Sequence, residues 1–274
     1  MKRRLVVNAD DLGLHPRIDE GIFLARQRGI LTSTSVLATG RTAQTAATAA
    51  HQLGLGVGVH LCVTTQLPPA SHPEAVRWLA PGGFFRRTWA DFAGAWLSGL
   101  VPREEVEAEL RAQVDRVKAW GVPVDHLDMH QHLHVLPRFA DVVGALARDL
   151  RLPLRWPKDR PSRAWNLSAG RAAKALLLRG LSKVTAPSGV HLVRAIGVFD
   201  SGGLDEARLL ALLDRLPEGD LELMAHPGLH PGTVPEDPAW SYGWELELEA
   251  LTSPRVADKV KARSVALCRY SDLT

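Results

Sequence analysis

At 274 residues, with 46% apolar and 23% charged residues, the chain has the make-up of a globular protein with a sizeable core, and an α/β barrel of this length is one domain, here spanning 1–274. Its formal charge is only +3, and its arginines are scattered, which excludes the concentrated basic footprint of a nucleic-acid binder. No apolar run approaches the roughly 20 residues of a membrane span or forms a signal peptide, and Cys62 and Cys268 make no metal-spaced pair or disulfide framework, so a soluble cytoplasmic protein is expected.

In chain order, strands alternate with helices. Leu5–Asn8 reads as a buried strand ending at Asp10-Asp11, and a helix follows with Ile18, Ile22 and Ala25 at helical spacing until Gly29. Residues 32–38 are β-branched and strand-like, residues 41–53 Ala-rich and helical. Leu55–Val63 is a second apolar strand with His60 near its end; its two glycines imply close approach of backbone or ligand. Residues 64–87, rich in Pro and Gly, form a loop long enough to be either functional or disordered. Helices are predicted at 88–98 and 103–120, the latter opened by Pro102 and acidic Glu104, Glu105 and Glu107, as a helix N-terminus prefers.

The densest segment follows. Residues 124–137 carry His126, His130, His132 and His134, four of the eleven histidines, with Asp125 and Asp128. In extended backbone, His126, Asp128, His130, His132 and His134 would share one face; on a helix the i, i+4 pairs His126/His130 and His130/His134 would do so. The Val-Pro-Val start favours strand to about Asp128 and then a turn, so that two or three histidines at most reach one divalent metal. A helix near 137–149, a strand at 152–156, a helix at 167–184, a strand at 191–199 and a helix at 204–215 come next. A strand at 220–225 then delivers His226-Pro227-Gly228. A loop at 229–243, two helices at 244–251 and 254–262, and a strand at 265–268 complete the chain.

Such alternation predicts a parallel sheet. No G-x-G-x-x-G or P-loop follows the first strand, whereas polar clusters end four predicted strands: Asp10/Asp11, His60, Asp128/His130 and His226. A barrel gathers those ends on one face, so the expected fold is an irregular (β/α) barrel of about seven or eight mostly parallel strands. Each cluster also has a plain structural reading. Asp10-Asp11 could cap the next helix, and His60 and His226 could be satisfied rim histidines. Together they fit a metal site with a neighbouring carboxylate base.

Taken jointly, Asn8-Ala-Asp-Asp-Leu-Gly, Gly58-Val-His60-Leu, the 126–137 segment and Glu222-Leu-Met-Ala-His-Pro-Gly228 resemble, in order, the motifs of YdjC-like carbohydrate deacetylases, which include chitooligosaccharide deacetylases. The resemblance implies a metal-dependent hydrolase of C–N amide bonds on a deformed barrel related to polysaccharide deacetylases, acting on acetylated, N-acetylglucosamine-containing sugars. It assigns Asp11, His60 and His130 to the metal, Asp10 to the general base and His226 to the acid. It implies Mg²⁺ as cofactor, where two imidazoles and a carboxylate favour Zn²⁺, and homodimers are common in the family. Two departures, Met129 for a usual Ser and Ala225 for a frequent Cys, remove no ligand or base and touch substrate fine-tuning. Asp128 would orient a histidine ring, Arg155 would hold Asp10 ionised, and His132 would lie around the metal or substrate. Aromatics Trp78, Trp240, Tyr242 and Trp244 could stack on sugar rings or anchor loops. The rival readings are a barrel phosphoesterase, with Lys158, Arg160 and Arg163 as phosphate clamp, and a non-catalytic sugar binder.

Overall fold

A computed structural model describes residues 3–159, 169–232 and 242–273. Its elements are β1 (Arg3–Leu12), α1 (Pro16–Arg28), β2 (Ser33–Val36), α2 (Ala43–Gln52), β3 (Gly56–Leu61), α3 (Trp89–Leu97), α4 (Arg103–Ala119), β4 (Val124–Met129) and α5 (Phe139–Leu150). There follow β5 (Leu154–Pro157), α6 (Ala169–Val184), β6 (Leu192–Ile196), α7 (Glu206–Asp214), β7 (Gly219–Ala225), α8 (Trp244–Thr252), α9 (Pro254–Ala262) and β8 (Val265–Leu267). Every strand pairing is parallel. Strands β1 to β7 run in sequence order and β7 returns to β1, which closes a seven-stranded barrel. The eighth strand is an addition: β8 pairs with Arg3–Leu5 of β1, while β2 pairs with Asn8–Leu12 above it. One long strand thus serves three neighbours, which is why the ring holds seven strands.

The side-chain period of two sorts β1 and β4 into an apolar outer face and a polar inner one. Leu5, Val7 and Ala9 of β1 and Leu127 of β4 join the main core beneath the helices. The alternate residues Asn8 and Asp10 of β1, and His126 and Asp128 of β4, are buried within the ring. Burying each large aliphatic on the outer face contributes about 1.5–3 kcal/mol, and this layer carries the cost of a charged interior. Glycines in β3 make room for that interior. A Cβ on Gly58 would stand 2.3 Å from the His126 ring, and one on Gly56 would stand 2.5 Å from the Asp125 carboxylate. The close approach expected at these glycines comes from side chains of the next strand.

The segment 64–87 is built, with short 3-10 turns at Pro73–Val76 and Pro81–Gly83. Glu109 of α4 accepts the Ala70 and Ser71 N–H groups at 2.8 and 2.9 Å, and Glu105 accepts those of Trp78 and Leu79 at 2.9 Å each. Glu105 therefore does more than favour a helix N-terminus; it anchors the loop. Among the described residues no helix is long and apolar enough to cross a membrane.

Candidate metal centre and its surroundings

Strand β1 runs further than its apolar stretch predicts, through Asp10 and Asp11 to Leu12. Its register with β2 shifts between Ala9 and Leu12, and Asp11 has φ of 67°. Such a bulge re-aims side chains, and a left-handed Asp is backbone strain held by the surrounding fold. The capping reading fails for both carboxylates. The N-cap of α1 is His15, whose ring accepts the Arg17 N–H, and the Gly13 N–H goes to Asp19 at 2.7 Å.

Asp11 meets the ends of two further strands. His60 closes β3, and His130 follows β4 at a sharp turn in which Gln131 and His132 both have φ of 57°. That turn is fixed from outside: the Trp96 indole of α3 donates to the Pro137 carbonyl at 2.9 Å, and Phe92 and Trp96 pack edge-on against Phe139. His60 Nε2 lies 3.2 Å from His130 Nδ1 and 3.5 Å from Asp11 Oδ1, and His130 Nδ1 lies 3.2 Å from the same Asp11 oxygen. Three donor atoms thus form a near-equilateral triangle. Both Asp11 carboxylate oxygens are buried, and no donor outside the triangle hydrogen-bonds to them, an arrangement that a cation at the centre would resolve. Burial pushes the Asp11 pKa up, but His130, His60 and His226 outweigh it and hold the group below the usual carboxylate range.

A second group, Asp10, His60 and Asp128, is also close enough to share an ion. Here Arg155 intervenes. Its guanidinium reaches both Asp10 oxygens at 2.6 Å, Asp128 Oδ2 at 2.7 Å and Glu222 Oε1 at 2.8 Å, all fully buried. Asp10 and Asp128 are thereby committed to a cation of the protein, and Asp11, His60 and His130 remain as the set able to hold a metal. Burial raises the Asp10 pKa, but Arg155 first, then His60 and His226, more than reverse it, so Asp10 stays ionised. Asp128 Oδ1 sits 2.8 Å from His60 Nδ1 and so fixes the ring with Nε2 toward the triangle. Burial lowers the His60 pKa, yet Asp128, Asp10 and Asp11 overcome it and raise it to about 9.

His226 follows β7 and lies with Nε2 3.9 Å from both Asp10 and Asp11. Its backbone N–H donates to Glu247 of α8 at 2.6 Å, and its ring packs edge-on against Tyr242. The other histidines of the 126–134 segment diverge. His126 is buried inside the ring with Nδ1 2.7 Å from Asp125. His132 is half-buried beside His134, ring centroids 6.1 Å apart. His134 is fully buried against Trp156, and burial together with Arg155 pushes its pKa down to about 3. Lys158 is exposed, while Arg160, Arg163 and Trp240 lie outside the described residues. No sequence motif assigns a role to Glu222, Glu247 or Tyr270. Period two places Glu222 on the inner face of β7, so that one was findable; Glu247 and Tyr270 gave no local signal.

A cleft of about 660 Å³ is lined by Thr39 and Arg41, which follow β2, and by Gln66, Phe84 and Arg87, which follow β3, among others. The geometry has relatives. A carbohydrate deacetylase from Mus musculus is 36% identical, with 98% of this chain and 94% of that one covered. A chitooligosaccharide deacetylase from Serratia marcescens is 30% identical across the whole of both chains. A crystal structure of a proposed cellobiose-phosphate cleavage protein from Enterococcus faecalis V583 superposes with a TM-score of 0.78 at 28% identity, covering both chains fully. The family model described as YdjC-like protein matches residues 4–262, and with those relatives it shows that this chain belongs to the YdjC-like family.

Proposed function

We propose that residues 1–274 act as one carbohydrate deacetylase domain that hydrolyses the acetamide of N-acetylglucosamine-containing sugars. The observation that carries the reading is the buried triangle of Asp11, His60 and His130, with donor atoms 3.2–3.5 Å apart, flanked by an ionised carboxylate and an imidazole. A divalent cation held there supplies Lewis acidity toward the acetyl carbonyl and toward water. Four ligands about 2.1 Å from a tetrahedral ion lie roughly 3.4 Å from one another, so the triangle and its donors suit Zn²⁺. Mg²⁺, which the family resemblance implies, is the competing occupant. Elemental analysis of protein purified without added metal decides between them.

The chain's own groups do the rest. Asp10, held as an anion by Arg155, takes a proton from the attacking water. His226 lies between Glu247 and the Asp10/Asp11 pair, within reach of both sides of the site, and donates its proton to the departing nitrogen as the C–N bond breaks. Acetate and a free amine result. Tyr242 beside His226 offers an apolar face to the sugar.

The test is acetate release from N-acetylglucosamine oligomers with and without a chelator, alongside nitrophenyl phosphate. Acetate release that the chelator abolishes supports the proposal. Phosphate release instead would favour a phosphoesterase, and no turnover on a broad panel of acetylated sugars would favour a binding protein.

A further inference from the structure

The contacts that secure Asp10 do not end at Arg155. Glu222 Oε1 accepts from Arg155 Nε at 2.8 Å, and Glu222 Oε2 accepts from the hydroxyl of Tyr270. Tyr270 belongs to the turn Tyr270–Asp272 after β8, far from every motif, yet it is fully buried. Its ring lies flat on His126, centroids 3.9 Å apart at 10°, and with Val6, Val193 and Leu273 it forms a small apolar cluster separate from the main core. The turn is clamped in place: Arg4 donates to the Asp272 carbonyl at 2.8 Å, and Cys268 donates its N–H to Leu5 at 3.1 Å. A continuous chain thus runs from the floor of the barrel to its mouth: Tyr270, Glu222, Arg155, Asp10.

Three buried carboxylates share the one guanidinium, so the place where Arg155 rests is set by the pull of Glu222 against that of Asp10 and Asp128. A carboxylate with a donor on its far oxygen keeps one orientation. Without that donor, Glu222 holds a buried oxygen short of a partner and turns or takes a proton to satisfy it. Either response loosens its grip on Arg155.

We propose that Tyr270, delivered from below by the C-terminal turn, is a positioning residue for hydrolysis: its hydroxyl fixes Glu222, which fixes the Arg155 guanidinium beneath Asp10. The inference rests on the deacetylase reading for its effect on rate, but not for its effect on structure.

Tyr270→Phe removes the hydroxyl and keeps the ring on His126. With N-acetylglucosamine oligomers, kcat should fall roughly tenfold, as misplaced catalytic groups do, with KM within about twofold and cation content unchanged. On a Glu222→Gln background the same change should add nothing further, because the two act in one chain. Leu273→Ala thins the floor without touching the hydroxyl and should lower Tm while leaving kcat within about twofold. Crystal structures should show the Arg155 guanidinium displaced by more than about 0.5 Å in Tyr270→Phe. An unmoved Arg155, a kcat near that of the wild type, full additivity with Glu222→Gln, or an equal kcat loss in Leu273→Ala would each overturn the inference. If the wild type releases no acetate at all, the deacetylase reading fails, and the position of Arg155 still decides this one.

Discussion

The mouth and the floor of the barrel interior use the same kinds of residue and partner their carboxylates differently. On the floor, Arg155 faces three carboxylates, the Tyr270 hydroxyl completes Glu222, and His126 stacks on Tyr270 and abuts the Gly58 backbone. At the mouth, Asp11 Oδ2 and His226 Nδ1 are buried without a hydrogen-bond partner, Asp11 Oδ1 meets only the two imidazoles, and Asp11 holds a left-handed backbone. Each unsatisfied buried group costs about 1–3 kcal/mol. The floor also leaves His126 Nε2 and Asn8 Oδ1 without a partner, but its carboxylates are held by Arg155 and Tyr270, whereas the Asp11 carboxylate at the mouth faces two imidazoles, as a ligand to a cation would.

The sharpest break of that contrast is Asp10→Asn. Asp10 straddles the two regions, bound by Arg155 from below and facing the triangle above. The amide keeps the shape but cannot take a proton, so kcat should fall about 10²–10⁴-fold, the range for losing a general base. Cation content by elemental analysis should stay at the wild-type level, since Asp10 is committed to Arg155. Loss of the metal along with activity would place Asp10 among the ligands instead.

Next in size is His226→Gln, which touches the mouth alone. The proposed acid matters for a poor leaving group and little for a good one. The variant should lose about 10²-fold on an N-acetyl sugar and only a few-fold on nitrophenyl acetate. Equal losses on both substrates would make His226 a binding residue.

Gly58→Ala tests the floor. Its new Cβ would stand 2.3 Å from the His126 ring, which is fully buried and stacked on Tyr270, so the ring cannot yield cheaply. Overpacking of this kind costs about 1–3 kcal/mol, and thermal unfolding should show a Tm lower by several degrees. An unchanged Tm would mean the stack has slack.

The same contrast explains what could be read from the sequence. Mouth residues stand at strand ends within short runs of chemistry-bearing side chains, and their strand-by-strand order points to one face of a barrel. A parallel sheet of about seven or eight strands was legible from alternation, its barrel form from the polar clusters at strand ends, and the turn after Asp128 from the Val-Pro-Val start. The floor depends on partners distant in sequence. Tyr270 meets Glu222 across 48 residues and His126 across a still longer span, and no local pattern in Cys268–Asp272 marks it. The sequence places Asp11 at a strand end but not on a bulge, because a bulge is a property of pairing with β2, which one strand's sequence does not contain. Glu105 is ambiguous for a similar reason: a helix end and a loop anchor call for the same carboxylate.

The smallest expected effect separates two histidines four residues apart. His130 opens to the metal triangle, whereas His134 is sealed beneath it against Trp156, with its pKa pushed down to about 3 by burial and by Arg155. An unfolded histidine titrates near 6.5. Between pH 3 and 6.5 the unfolded chain therefore binds the extra proton and the folded one does not. By linkage, stability rises with pH across that window and is lost as pH falls through it. From pH 6.5 to 5 the loss from this one group is at most about 2 kcal/mol, at roughly 1.4 kcal/mol per unit. His134→Gln cannot take up that proton, so urea unfolding at pH 5, 6 and 7 should show a shallower decline on the acid side than the wild type. Parallel declines would mean that His134 exchanges protons with solvent in the folded state, and that the seal between mouth and floor is open at this point.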